Sequence, residues 1–438
     1  MGLIIRAAKV RDLHGKSYYC PKEGRRWHRL PVPKTRLWQR SHMAFAEAGK
    51  PRPCQNGCLA ARPVVRALLL NFAPMNPLTS APNTAAAPTP AAAAATITAR
   101  RVGVLLVNLG TPDSPKTPDV RRYLNEFLTD GRVVDMPAAI RYPLFQGLVV
   151  PLRAPKSAKI YQELWTERGS PLLFHGLDLQ KKVQAALGPG YVVAFGMRYQ
   201  NPSIASALKE LQDAAVERIV VLPLFPQYAS ASTGSVQEKV MDIVKDWWIV
   251  PSISFISQFA TEPGFIATIA ARGRAEMAKH DYDHVVFSYH GIPERHVKKG
   301  DPTNYCRFGS CCDTLTDQNQ YCYRAQCFAT SRLVAAELGL KPEQYTVSFQ
   351  SRLQSRLRDP WLQPYTDEVL KEFPAKGIKN VLAFSPAFVA DCLETTIEVG
   401  EEFKDLFEES GGGHWQLVPS LNSEPQWVDT VVEMIKRS

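Results

Sequence analysis

Beyond residue 100 the chain alternates between two patterns. Short β-rich apolar runs recur as VGVLLVNLG, YVVAFGMRY, RIVVLPLFP, SISFIS, HVVFSYHG, YTVSFQS, NVLAFSPAF and WQLVPSLN. Between most of them lie segments of helical period such as SIASALKELQDAAV and TSRLVAAELG. Runs that are apolar throughout, and that alternate with helices, make βαβ units whose parallel sheets are covered on both faces. The expected fold is therefore α/β, with eight strands divided into two similar doubly wound, Rossmann-like domains, each built on a parallel four-stranded sheet. The long helical segment GFIATIAARGRAEMAKHDYDH separates the two sets, so the domains are expected over residues 102–275 and 276–438.

Open parallel sheets bind ligands beyond the carboxyl ends of their strands. The residues placed there are Asn108, Gly110 and Thr111, then Arg198 and Tyr199, then Pro226, Gln227 and Tyr228. In the second set they are His290, Gln350, Ser351, Ser385, Pro386 and Asn422. Rings, hydroxyls, a guanidinium and an imidazole are present, but neither G-x-G-x-x-G nor G-x-x-x-x-G-K, so no nucleotide cofactor is expected.

Charge changes the picture only at the start of the chain. Of 52 Lys and Arg, 15 fall in residues 1–75 with only 3 of the 42 Asp and Glu, which leaves 37 basic against 39 acidic residues in the rest. A nearly neutral body argues against a nucleic-acid partner, whatever the formal net charge of +10 suggests. Residues 1–74 read as a basic irregular extension, either disordered or the product of a start called too early with Met75 as the natural beginning. The Ala/Pro/Thr-rich stretch 75–101 reads as a linker. No apolar run approaches the ~18 residues of a membrane span.

Of nine cysteines, five crowd into residues 306–327. That suits a local metal or cluster site in a reducing compartment better than a spread of disulfides.

Two acid–base candidates stand out. His290 ends the run HVVFSYH just before a glycine and a proline, which turn the backbone and leave the imidazole at a cleft edge. The segment VADCLETTIEVGEEFKDLFEE, residues 389–409, reads as a helix opened near Asp391. Its Glu394, Glu398, Glu401, Glu402 and Asp405 recur at steps of three and four and line one stripe, with Glu394 in the first turn at the same sheet end as His290. An imidazole and a carboxylate converging there can hold a borderline divalent cation or take protons from a ligand.

The strings VLLVNLGTPDSP, FGMRYQNPSI, LPLFPQYASASTGS, SYHGIPERHVKKGDP, DPWLQPYTDEVL, AFSPAFVADCLETTIE and SLNSEPQWV, in this order from about residue 102 to the C-terminus, resemble the ferrochelatases, bacterial type. The resemblance implies a lyase of heme biosynthesis that inserts Fe2+ into protoporphyrin IX to form protoheme. It implies His290 and Glu394 as catalytic residues and iron ligands, with Glu398, Glu401 and Asp405 passing metal inward. It also implies porphyrin contacts from Leu109, Arg198, Tyr199, Tyr228, Ser232, Thr233 and Trp361, and a pocket lip at YPLFQGLVVPL, residues 142–152, able to touch a bilayer.

The chain departs from the family pattern in three places. Cys392 stands where many relatives have a histidine, and FQSRLQSRLRDPW carries a doubled QSRL before Trp361. The insertion 303–327 holds Cys306, Cys311, Cys312, Cys322 and Cys327. By the resemblance these are ligands of a two-iron two-sulfur cluster, with one of the Cys311 and Cys312 pair unused. Structural zinc and free thiols are the alternatives. The rival functions are a coproporphyrin or other tetrapyrrole chelatase and, outside the enzymes, a heme-carrying protein. Cytoplasm, with peripheral membrane contact, is the expected location. Monomer and homodimer stay open.

Overall fold

The computed structural model describes residues 101–352 and 359–438; the extension 1–74, nearly all of the linker 75–101 and part of the doubled QSRL segment lie outside the described residues. Each apolar run becomes a strand: β1 Val102–Gly110, β2 Tyr191–Tyr199, β3 Arg218–Pro223, β4 Ser252–Phe255, β5 His284–His290, β6 Tyr345–Gln350, β7 Asn380–Phe384 and β8 His414–Leu417. They form two four-stranded sheets ordered β2-β1-β3-β4 and β6-β5-β7-β8, parallel throughout. The same winding in both halves confirms the α/β, doubly wound expectation.

The strands read as continuous apolar runs because helices cover both faces of each sheet. Val104, Leu105, Leu106 and Val107 have no exposed surface, and neither do Val286 and Phe287 of β5. In the first half, Leu105 and Val107 pack toward Ile204, Leu208 and Val240. Val104 and Leu106 face a larger core that runs on into the second half through Phe265, Phe287 and Trp427. Trp427, on the C-terminal helix Pro425–Arg437, packs with its ring 5.6 Å from Phe259 and 6.0 Å from Phe265. The end of the chain thus fastens onto the helix Pro263–Met277 that links the sheets. The carboxyl ends of the strands carry the site.

The acidic segment differs from its expected form. Residues Glu394–Glu402 make a π-helix that continues as the α-helix Phe403–Glu409. Asp391 does not cap it: its carboxylate accepts from Ser420 N at 3.1 Å and Asn422 Nδ2 at 2.7 Å, tying the loop after β7 to the loop after β8. An i→i+5 turn is wider than an α-turn, so residues four apart share a face and residues three apart do not. The predicted single stripe therefore splits. Glu394 and Glu402 are half-buried and Glu398 is fully buried, whereas Glu401 and Asp405 are in solvent.

Candidate active site

Between the two halves, at the carboxyl ends of β1 and β5, lies a cavity of about 520 Å3. That is within the range of pockets that enclose a sizeable organic ligand. Asn108, Leu109, Gly110 and Thr111 contribute from the end of β1, His290 to Pro293 from the end of β5, and Cys392 to Glu394 from the start of the π-helix. Apolar side chains from two helices of the first half, Tyr123, Phe127, Tyr161 and Leu164, supply much of the wall. His290 and Glu394 therefore open on one hollow.

The imidazole is oriented by its own backbone. His290 Nδ1 lies 2.7 Å from the carbonyl oxygen of Gly291. A carbonyl only accepts, so Nδ1 carries the hydrogen and Nε2 is the unprotonated nitrogen. Burial pushes this imidazole well below its ordinary range, so it is neutral at neutral pH. Tyr323 Oη donates to the His290 carbonyl at 2.8 Å and holds the strand end from behind. At position 291 a side chain is excluded, since a Cβ would meet Gln350 O at 2.9 Å and the Trp361 ring at 3.4 Å. That close approach brings Trp361 into the wall.

Glu394 has two buried tyrosines for neighbours. Burial foremost, and then the Glu394 charge, raise the phenols of Tyr123 and Tyr161, which stay protonated as donors. One turn further into the protein, Glu398 accepts from Ser351 N at 3.0 Å and from the Ser351 hydroxyl. Burial pushes its carboxyl up to about 7.

Of the other expected contacts, Leu109, Ser232 and Trp361 line the cavity, whereas Arg198, Tyr199, Tyr228 and Thr233 are not among its lining residues. Arg198 and Tyr199 instead serve a buried hub: Asp130 accepts from Arg198 Nη2 at 2.6 Å and from Tyr199 Oη at 2.8 Å. The Tyr199 ring packs edge-on to Phe127 at 5.1 Å, one layer behind the wall. Tyr228 turns toward the cysteine-rich insertion, with its ring 5.4 Å from Tyr321. Thr233 is fully buried. Lining residues absent from the sequence reading, such as Tyr123, Phe127, Tyr161 and Phe388, look like core positions in the sequence. Nothing in a helical period separates a face packed on protein from one packed on a ligand.

At one side of the cavity, Asp135 of the first half receives Arg295 Nη2 at 2.6 Å and Lys299 Nζ at 2.5 Å from the second half, with His296 Nε2 3.3 Å away. Burial would raise the Asp135 carboxyl, but the bonds from Arg295 and Lys299 prevail and hold it well below the usual carboxylate range. A carboxyl whose folded pKa is depressed contributes stability above its unfolded pKa of about 4, and that contribution fades as pH falls toward the folded value. Asp135→Asn is thus expected to lower stability near neutral pH and to match the parent increasingly below pH ~4. Urea unfolding across that range checks this, and a pH-independent gap would refute it.

In the insertion, Cys311 Sγ and Cys312 Sγ lie 3.9 Å apart. The Cys312 and Cys322 thiols are neighbours, and Cys306 sits beside Cys311 and Cys312. Cys327 is fully buried on the helix Tyr323–Glu337, with its thiol against Tyr323. Among the described residues, no group of three or more His, Cys, Asp or Glu is arranged to hold a metal ion. The lip, residues 142–152, turns Leu144 and Phe145 into the cavity and leaves Leu148 (55% exposed) and Leu152 (66%) facing out, as does Ile140 (53%) just before it. Among the described residues, no helix is long and apolar enough to cross a membrane.

The ferrochelatase family model matches residues 101–438. A ferrochelatase of Legionella pneumophila (strain Lens) is 47% identical over 338 residues, 76% of this chain and 98% of that protein. One from Coxiella burnetii (strain CbuK_Q154) is 43% identical over 339 residues, 77% of this chain and 94% of that protein. Among solved structures, SirB from Bacillus subtilis with Fe3+ shares 12% identity over 77% of this chain and 95% of that one at a TM-score of 0.43, too slight a likeness to argue from. With relatives this similar over almost their whole length, and a matching model over every described element, the chain belongs to the ferrochelatase family, enzymes that insert iron into a porphyrin.

Proposed function

We propose that the porphyrin is protoporphyrin IX, that the product is protoheme, and that His290 and Glu394 carry the reaction. The observation supporting this is that both side chains open on one largely apolar cavity wide enough for a flat macrocycle. Seating Fe2+ releases two pyrrolic protons, and His290 Nε2, neutral at working pH, is the base that takes them in turn and passes them to solvent. Glu394 is the carboxylate that meets the incoming cation. The Glu394 carboxylate, with water completing the shell, holds Fe2+ weakly enough to give it up to four pyrrole nitrogens, while the single lone pair of His290 Nε2 is kept for the protons. Solvent-facing Glu401 and Asp405, buried Glu398 and cavity-facing Glu394 on a single helix make a graded acidic path for delivery of the metal.

The apolar wall favours a porphyrin with few carboxylates, since each carboxylate buried without a partner costs several kcal/mol. Protoporphyrin and coproporphyrin, each supplied with Fe2+ and followed through the Soret band, separate the two chelatase readings. Faster metallation of coproporphyrin would overturn ours, and tight heme binding without turnover would point to a carrier.

We also propose a two-iron two-sulfur cluster on Cys306, Cys311, Cys312 and Cys322; in place of the expectation that one of the Cys311 and Cys312 pair is unused, Cys327 is the cysteine left out, because it is fully buried with its thiol against Tyr323. A separation of 3.9 Å between Cys311 and Cys312 is close to the ~3.8 Å edge of a tetrahedral thiolate site. When bound, such a cluster supplies one-electron redox chemistry. Visible absorption bands in freshly purified protein with about two irons per chain are expected. A colourless protein holding zinc would select the alternative. For location we propose the cytoplasm, with the lip's apolar outer face resting on a bilayer. Flotation with lipid vesicles that persists unchanged in Leu152→Ser would count against that contact.

A further inference from the structure

Among the described residues that line the cavity, Arg295 is the sole arginine or lysine. Two carboxylates of the protein occupy it. Arg295 Nε and Nη2 reach Asp135 Oδ1 at 3.0 and 2.6 Å, and Nη1 contacts Asp359. All three residues line the cavity, and Arg295 lies on the short helix Glu294–Lys299 that directly follows the His290 turn. Guanidinium and imidazole therefore project from one short stretch of chain.

We propose that Arg295 is the carboxylate-recognition residue of the cavity, releasing Asp359 to bind a carboxylate of the porphyrin and so fixing which edge of the macrocycle lies beside the His290 turn. This rests on the reading of the cavity as a porphyrin site. A ligand that carries carboxylates into an apolar hollow needs a cation there, and a guanidinium is always charged and matches a carboxylate with two parallel N–H groups. Arg198, the arginine that the family resemblance implies as a porphyrin contact, is instead held by Asp130. The exchange is feasible because neither acid is stranded by it. Asp135 keeps Arg295 Nη2 and Lys299, and Asp359, with 31% of its side chain exposed, can turn to water. A single guanidinium also serves a single carboxylated edge. A ring with carboxylates on both edges would leave the others without a cation among the described lining residues.

The test is binding without metal, read by porphyrin absorption or fluorescence, for a dicarboxylic porphyrin and for its dimethyl ester. Arg295→Gln is expected to weaken the diacid roughly 10- to 100-fold, the range of a charge-assisted hydrogen-bond pair, and to leave the ester within about 2-fold. Asp359→Asn, which removes the competing carboxylate and keeps the Asp135 pair, is expected to tighten the diacid. Equal losses for diacid and ester in Arg295→Gln, or weaker diacid binding in Asp359→Asn, would reduce Arg295 to a clasp between the two halves and overturn the assignment. Full diacid affinity in Arg295→Gln would do the same while leaving the porphyrin site standing. A parent protein that binds neither ligand would sink both.

Discussion

Replacing His290 by alanine is expected to lower kcat for iron insertion by roughly 10²- to 10⁴-fold, the usual contribution of a positioned general base. The fold should survive. His290 sits at the last position of β5, half-buried in a cavity wall, with Nδ1 on the neighbouring Gly291 carbonyl. The strand end is held independently by the Gly291 N–H to Gln350 O at 2.8 Å and by Tyr323. Melting temperature should therefore change little while turnover collapses. Porphyrin should still bind, because the wall is built mostly by other residues. Exogenous imidazole, small enough to enter the vacated space, should restore part of the rate. Retained turnover in His290→Ala would remove the imidazole from the mechanism. A lost fold would move it from chemistry to structure.

Glu394→Gln should be nearly as damaging for a different reason. The amide keeps the shape of the side chain and its place near Tyr123 and Tyr161 but removes the charge that meets the cation. A charge-assisted contact is worth ~1.5–3 kcal/mol, so a loss of roughly 10- to 100-fold in kcat/KM for Fe2+ is expected, with porphyrin affinity unchanged. The contrast with Glu398→Gln is informative. Glu398 is buried, bonded to Ser351 and pushed up to about 7, so it is already half-neutral near pH 7 and its amide should cost less. Steady-state titrations in iron and in porphyrin separate the two. A near-normal KM for Fe2+ in Glu394→Gln would dismiss the carboxylate as a metal ligand.

The two predictions draw on information of different origin. His290 was legible because a buried strand that stops at a glycine and proline leaves its last side chain at a sheet's carboxyl edge. Glu394 was legible as a first-turn residue of the acidic segment that follows β7, the neighbour of β5 in the sheet. The same reasoning put Arg198 and Tyr199 at the ligand, but β2 ends with Arg198 turned to Asp130 and Tyr199 one layer behind Phe127. Being at the end of a strand specifies a neighbourhood, not a direction. The acidic stripe shows a second limit. Charge spacing of three and four residues fits an α-helix, and only the i→i+5 turn of Glu394–Glu402 sends Glu398 inward while Glu401 and Asp405 stay in water.

Eight apolar runs and the helical segments between them were enough for the architecture, since periodicity and β-branched composition are local properties that survive in any single segment. The cavity wall was not available in that way. Tyr123, Phe127, Tyr161 and Leu164 become a binding surface only when two helices of one half face the His290 turn of the other. The pairing of Asp135 with Arg295 joins residues 160 positions apart. Contacts of that range depend on how the halves pack, and no pattern along a single element encodes them.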